Sequence, residues 1–287
     1  MNHRGAALLA INLAALLFGS AALCGKLNIS PFFIVCARSG FAALALLFSR
    51  LIQRQSIQFS EKLQGKLFLS GFALAAHWLF FFASVQMANV AIATVSFASF
   101  PLFTIFFRSL MYRKSPTIIE IIAALTILLA ITILCAQQIA LDPAFIPGTI
   151  CGINSAALFS FFSLLSQSLN RKNSRVTVSL YQNLYVFILL LPATLLTDNL
   201  PEDQNVWITL SILGVFMTAG AHQLYFFALE HLRASTCAAF VSLEPIYAII
   251  LSQLIYQEVV SSTVILCGFG ILLASTVLLR QEKAAHN

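Results

Sequence analysis

Few side chains in this apolar sequence could do chemistry, and two histidines stand out because their surroundings match. His77 lies in the stretch 76–83 (AHWLFFFA), and His222 lies in 221–228 (AHQLYFFA). An imidazole titrates near pH ~6.5, so it can gain or lose a proton under physiological gradients. The pair could bind a solute or relay protons, or each ring could simply pack against a backbone carbonyl. No third ligand is evident at a matching depth, so we expect no metal site.

Two charged residues lie inside apolar stretches, where an ionisable group is costly and is a functional candidate by default. Glu244 directly precedes Pro245. It could bind a cationic group or carry a proton, or it could hold neighbouring helices together. Arg38 lies seven residues after Pro31. Its guanidinium could bind a carboxylate or phosphate through two hydrogen bonds, pair with another helix, or extend to lipid headgroups.

Further polar and aromatic residues could complete a binding site. Asn12 and Asn154 lie in matching stretches, 11–16 and 153–158, and could hydrogen-bond to a solute or hold helices together. The remaining predicted lining residues are Trp78, Gln223, Tyr225 and Tyr247.

These matches belong to an internal duplication that runs through the whole chain. The two histidines are 145 residues apart, Pro101 and Pro245 are 144 apart, and the two asparagines are 142 apart. The chain therefore divides into two aligned units, 1–142 and 143–287. A duplicated apolar unit is typical of secondary transporters, in which a solute site lies between the repeats.

Composition identifies lipid as the solvent of this protein. Hydrophobic residues make up 60% of the chain and charged residues 9%, whereas soluble domains average about 25% charged residues. The basic residues are dispersed, which argues against nucleic-acid binding. The six cysteines form no ligand-spaced cluster, so we expect neither a metal site, a disulfide nor a cofactor.

The apolar runs predict an all-α membrane protein with ten transmembrane helices. Each run is about the 20 residues that a bilayer requires. The predicted spans are 5–25, 31–52, 65–85, 90–110, 117–137, 147–169, 176–196, 205–228, 234–256 and 259–279.

The distribution of lysine and arginine predicts the orientation of these spans. If both termini are cytoplasmic, 14 of the 16 basic residues lie at cytoplasmic helix ends. The outer loops then hold Asp142, Asp198, Glu202, Asp203 and Glu258, with Lys26 as their only basic residue. Five spans per repeat is an odd number, so the second repeat must enter the membrane from the opposite side. We therefore expect an inverted five-plus-five repeat.

The sequence resembles the EamA-type members of the drug/metabolite transporter superfamily over essentially its whole length. The matching residues are Pro31, Ala37-Arg38, the run from Ala91 to Pro101-Leu102-Phe103, Ser242-Leu243-Glu244-Pro245, and Glu258 leading into Gly268 and Gly270. Gln257 departs from the pattern, because the family often has glycine there. The resemblance implies a substrate cavity lined by spans one, three, four, six, eight and nine, with spans five and ten at the periphery.

We therefore expect a transporter of a small metabolite, such as an amino acid or related zwitterion, in the bacterial inner membrane. It would work by alternating access, with a proton as the candidate coupling ion. A larger amino-acid derivative such as S-adenosylmethionine is the alternative substrate, and a non-transporting membrane scaffold is the alternative class. No intramembrane enzyme motif is present. The sequence does not determine whether the protein forms a homodimer, in which direction it transports its substrate, or which ion is coupled to transport.

Overall fold

The computed structural model describes residues 3–54, 63–113, 115–141, 145–171, 173–197, 200–257 and 260–284. Over these residues the chain is almost entirely helical. The helices are α1 (His3–Ala22), α2 (Pro31–Ile52), α3 (Gln64–Met87), α4 (Val90–Phe97), α5 (Phe100–Tyr112), α6 (Ile118–Leu141), α7 (Ile146–Asn170), α8 (Arg175–Thr197), α9 (Gln204–Gly214), α10 (Ala221–His231), α11 (Ala234–Val241), α12 (Glu244–Tyr256) and α13 (Ser262–Ala284). A 3₁₀ turn (Leu23–Lys26) follows α1, and a π-helical segment (Val215–Gly220) joins α9 to α10 without a break.

Several helices begin at side chains that satisfy the first free N–H groups. The hydroxyl of Ser30 accepts a hydrogen bond from the Phe33 N–H at 3.1 Å, and the Asn89 side chain accepts one from the Ile92 N–H at 2.8 Å. Thr117 and Glu120 form a reciprocal capping box at the start of α6. Short polar residues between the apolar runs therefore fix the helix boundaries.

Two of the predicted spans are broken at equivalent places in the two repeats. Span four consists of α4 and α5, separated by Ala98 and Ser99, and span nine consists of α11 and α12, separated by Ser242 and Leu243. A proline is the second residue after each break, and proline both lacks an N–H donor and clashes with the preceding turn. The two breaks therefore place helix ends inside the bundle.

The helix contacts show a pseudo-two-fold relationship between the repeats. Helix α2 packs on its equivalent α8, and α6 packs on its equivalent α13. Helix α3 packs on α7 in the way that α10 packs on α1. Gly71 of α3 lies against the Gln182 carbonyl and Tyr185, and Gly214 of α9 lies against the Arg38 carbonyl and Phe41. The same close approach is thus made once in each half.

The surface and interior of the bundle have the polarity expected of a protein surrounded by lipid. Large apolar side chains such as Leu44, Phe48, Leu254 and Leu266 are exposed, while many serine and threonine hydroxyls are buried. Among the described residues, seven helical segments are long and apolar enough to cross a membrane: His3–Lys26, Pro31–Ile52, Gln64–Met87, Val90–Tyr112, Ile146–Asn170, Arg175–Leu196 and Gln204–His231. The two shorter apolar helical stretches are Ile118–Ala130 and Ser262–Ala274. The total of ten spans stays a prediction.

Basic side chains from separate helices meet at one end of the bundle, which we call the basic end. Arg50 Nη2, at the end of α2, donates to Thr177 Oγ1 of α8 at 2.7 Å, and Lys66 Nζ of α3 donates to Ser168 Oγ of α7 at 3.3 Å. The ion pairs Arg108–Glu120 (2.7 Å) and Arg175–Glu230 (3.5 Å) lie at the same end of the bundle. The side of the membrane on which this end lies is still a prediction.

Candidate functional site

A small cavity lies where both repeats meet at the centre of the bundle. Its volume is about 20 Å³, enough for about one water molecule. The lining residues are Phe18, Ala21, Arg38, His77, Trp78, Phe81, Phe97, Phe159, His222 and Glu244. They come from α1, α2, α3, α4, α7, α10 and α12. These are the predicted spans one, three, four, six, eight and nine, with span two in addition, because Arg38 reaches inward from α2.

Arg38 is buried and held from two directions. Its Nε donates a hydrogen bond to Thr218 Oγ1 at 3.0 Å, and its guanidinium carbon lies 4.1 Å from the centre of the Trp78 ring, a cation–π contact. Its two terminal nitrogens donate no hydrogen bond to the part of the chain that the structure describes. Arg38 therefore does not extend to lipid headgroups, one of the roles that the sequence left open. Its fork faces the cavity.

The two histidines both reach the cavity but have different partners. His77 Nδ1 lies 2.8 Å from the Ser155 hydroxyl oxygen and 3.0 Å from the Ser155 carbonyl oxygen. The His222 ring is fully buried and stacks on Trp78, with 5.5 Å between ring centres. Neither His222 nitrogen has a hydrogen-bond partner among the described residues. A buried polar group without a partner costs about 1–3 kcal/mol, which makes His222 a candidate to bind a water or a solute in the cavity.

Glu244 is the first residue of α12, directly after the break in span nine. Its side chain is buried and lines the cavity together with Arg38. The positive end of the α12 dipole favours a negative charge at this position. The proline break thus explains how a carboxylate comes to lie at the cavity: it is carried on a helix end inside the bundle.

Aromatic rings form the walls of the cavity. Phe159 is the central ring, with its centre 4.8 Å from that of His77, 5.4 Å from that of Phe97 and 6.1 Å from that of Phe18. These rings surround the charged and polar groups with apolar surface, which strengthens electrostatic interactions inside.

Five of the ten predicted site residues lie outside the cavity lining. Asn154 is exposed, and its amide donates to the Ile150 carbonyl of its own helix at 3.0 Å. Asn12, its match in the first repeat, has a different partner: it accepts a 2.6 Å hydrogen bond from the Tyr247 hydroxyl, which joins α1 to α12. Tyr225 is fully buried and hydrogen-bonds to Ser163. Gln223 is half-buried and also lies outside the lining.

Sequence reasoning missed Ala21, four phenylalanines of the lining (Phe18, Phe81, Phe97 and Phe159) and Thr218. The four phenylalanines cannot be told apart from the other 22 by sequence alone. Thr218 did have a signal: the offset between the repeats increases just before His222. Glu258, which carried part of the family resemblance, lies outside the described residues.

Comparison with known proteins decides the family. The sequence profile of the EamA-like transporter family matches residues 5–136 and again residues 146–280. The chain belongs to the EamA-like transporter family. It is a multi-pass membrane transporter, which sets aside the scaffold alternative.

Individual relatives agree with this assignment. The chain is 24% identical to the Bacillus subtilis (strain 168) protein described as "Uncharacterized transporter YxxF", an alignment that covers 98% of this chain and 93% of the relative. A solved crystal structure superposes with a TM-score of 0.76 at 16% identity, covering 97% of this chain and 99% of that one. At that identity the likeness shows the fold alone.

Proposed function

We propose that this EamA-family protein is a secondary active transporter of amino acids or closely related zwitterions across the bacterial inner membrane. One observation supports this most directly. A buried arginine and a buried glutamate line the same cavity, one contributed by each repeat. Opposite charges at one site match a solute that carries both a carboxylate and an ammonium group.

Each charged group has a separate role in this proposal. The free fork of Arg38 binds the carboxylate through two parallel hydrogen bonds. Glu244 binds the ammonium group and carries the coupling proton when the site is empty. His222 supplies the further polar partner, and the aromatic walls bury the rest of the solute.

The size of the cavity supports alternating access. A space for about one water molecule cannot hold an amino acid, so the helices around it must separate for a solute to bind. The pseudo-two-fold packing provides two equivalent ways of separating them, one toward each end of the bundle.

The test is uptake by the purified protein in proteoliposomes, with and without an imposed pH gradient. The probes are the radiolabelled L-amino acids and S-adenosylmethionine, the alternative substrate that the aromatic walls could bind through its sulfonium. For the transported amino acid we expect Arg38→Gln to reduce uptake about 10-fold or more, the equivalent of one charge-assisted hydrogen bond.

Arg50→Gln is the matched control, since Arg50 is also a buried arginine of α2 but contacts Thr177 at the basic end. It should retain uptake close to that of the parent. Glu244→Gln should abolish accumulation driven by the pH gradient while exchange of labelled for unlabelled solute continues. Transport of S-adenosylmethionine alone, or full uptake by Arg38→Gln, would contradict the proposal.

A further inference from the structure

In the stretch immediately before the second histidine, the second repeat is two residues longer than the first. Gly71 and Gly214 make equivalent close contacts with the facing helix. From Gly71 to His77 there are 77 − 71 = 6 residues, whereas from Gly214 to His222 there are 222 − 214 = 8. Two additional residues in an α-helix would turn the following side chains by about 200°. His222 would then face away from the cavity.

The π-helical segment Val215–Gly220 compensates for part of this difference. It lies between Gly214 and His222, and the equivalent part of α3 is ordinary α-helix. In a π-helix the hydrogen bonds span five residues instead of four. The wider turn reduces the rotation that the additional residues would cause, and both histidines line the same cavity.

The stretch between Gly214 and His222 also holds a threonine, whereas the stretch between Gly71 and His77 holds none. Thr218 is fully buried and lies inside the π segment, where its hydroxyl donates to the Leu213 carbonyl at 2.6 Å. The same oxygen accepts the hydrogen bond from Arg38 Nε. Gly214, one turn earlier, lies against the Arg38 carbonyl. The backbone and the side chain of Arg38 are therefore both fixed by this stretch.

The position equivalent to Arg38 in the second repeat faces a regular α-helix instead of a π-helical segment. Gln182 lies there, and its amide donates to the hydroxyls of Ser70 and Ser166. These partners come from regular helix, and Gln182 does not line the cavity. Only one repeat therefore carries the arginine together with the π segment.

We propose that Thr218 is a positioning residue, held by the π-helical segment, that orients the Arg38 fork toward an anionic group of the solute. By accepting from Nε it leaves the two terminal nitrogens for the solute, and it holds the guanidinium plane against Trp78. The inference that the bound anion is a carboxylate rests on the proposed function. The positioning of Arg38 by Thr218 does not.

The experiment compares three variants that are close to the parent in size. Thr218→Val removes the hydroxyl, Thr218→Ser retains it, and Thr104→Val is the control. Thr104, in the first repeat, is a fully buried threonine whose hydroxyl donates to the Phe100 carbonyl and lies within hydrogen-bond distance of the Ser160 hydroxyl, away from Arg38. Thermal unfolding in detergent verifies that all three are folded.

The first measurement needs no substrate. Hydrogen exchange of the Arg38 Nε–H is followed by NMR of ¹⁵N-arginine-labelled protein in nanodiscs, with the signal assigned by its loss in Arg38→Lys. We expect exchange at least about 10-fold faster in Thr218→Val, and exchange like that of the parent in Thr218→Ser and Thr104→Val. Unchanged exchange in Thr218→Val would overturn the assignment.

The second measurement is uptake of the amino acid that the parent transports in proteoliposomes. Thr218→Val should weaken apparent affinity between about 2-fold and 10-fold, with Thr218→Ser restoring it. Normal affinity in Thr218→Val, despite faster exchange, would also overturn the proposal. If the parent transports none of the amino acids, the proposed function fails, and the exchange measurement alone decides the role of Thr218.

Discussion

At the scale of single residues, the two histidines that the sequence presents as equivalent have different surroundings. His77 has a hydrogen-bonding partner in Ser155. His222 lies among Phe18, Trp78 and Phe226, and neither of its nitrogens has a partner in the described chain. The two histidines therefore hold matching positions but differ in hydrogen bonding. His222, whose ring nitrogens lack a partner among the described residues, is the stronger candidate for contact with a solute.

This difference gives a prediction for His77→Phe and His222→Phe. His77→Phe leaves the Ser155 hydroxyl without its partner and should lower the free energy of unfolding by about 1–3 kcal/mol. His222→Phe removes two unpaired polar atoms and should unfold at the same temperature as the parent or higher. The measurement is thermal unfolding of the purified variants.

Uptake in proteoliposomes separates stability from function in the same variants. His222→Phe should lose transport while remaining stable, because the proposed contact between His222 and the solute is gone. If His222→Phe is stable and transports like the parent, the ring at this position only fills space.

At the scale of helices, a left-handed residue ends one helix in each repeat at equivalent positions. Arg113 ends α5 with φ 50°, and Gln257 ends α12 with φ 54°. A left-handed backbone costs most residues about 1–2 kcal/mol, and glycine adopts it without that cost. The backbone therefore explains why glycine often occupies the position of Gln257 in the family that this sequence resembles.

We predict that Gln257→Gly stabilises the protein by about 0.5–1 kcal/mol, since the relieved backbone cost exceeds the chain entropy that glycine loses. Gln253→Gly is the control, because Gln253 is an exposed residue inside α12. There glycine should destabilise by about 1 kcal/mol. Equal shifts in the unfolding temperature of both variants would refute the explanation.

At the scale of the whole molecule, the two ends of the helix bundle differ in charge. Arginine and lysine side chains from α2, α3, α5 and α8 meet at the basic end. Asp203 caps α9 at the other end, where Lys26 lies 5.9 Å from the Tyr256 ring centre. Lysine and arginine are retained on the cytoplasmic side of membrane proteins, so the basic end should face the cytoplasm.

Single cysteines introduced at Lys66 and Glu202 test this orientation in a background without the six native cysteines. Both side chains are exposed, and they lie at opposite ends of the bundle. In intact cells a membrane-impermeant maleimide should label Glu202→Cys only, and after permeabilisation it should label both. Labelling of both variants in intact cells would contradict the inverted topology.

The sequence by itself determined the helical class and the duplication, and it predicted five of the residues that line the cavity. Apolar runs of bilayer length can be recognised in the sequence itself. Histidines and charged residues inside those runs stand out because each has a cost in lipid that a structural or functional role must offset. For the same reason the Glu244–Pro245 pair was visible without a structure.

Only the tertiary structure decided which polar residues share the cavity. The direction of a side chain depends on the rotation of its helix, so the matched asparagines diverge, Asn12 bonding to Tyr247 and Asn154 facing outward. The proposed role of Thr218 depends on a π segment that lies between Gly214 and His222, which are two residues further apart than Gly71 and His77. Such constraints arise from the packing of distant helices, and no local pattern in the sequence contains them.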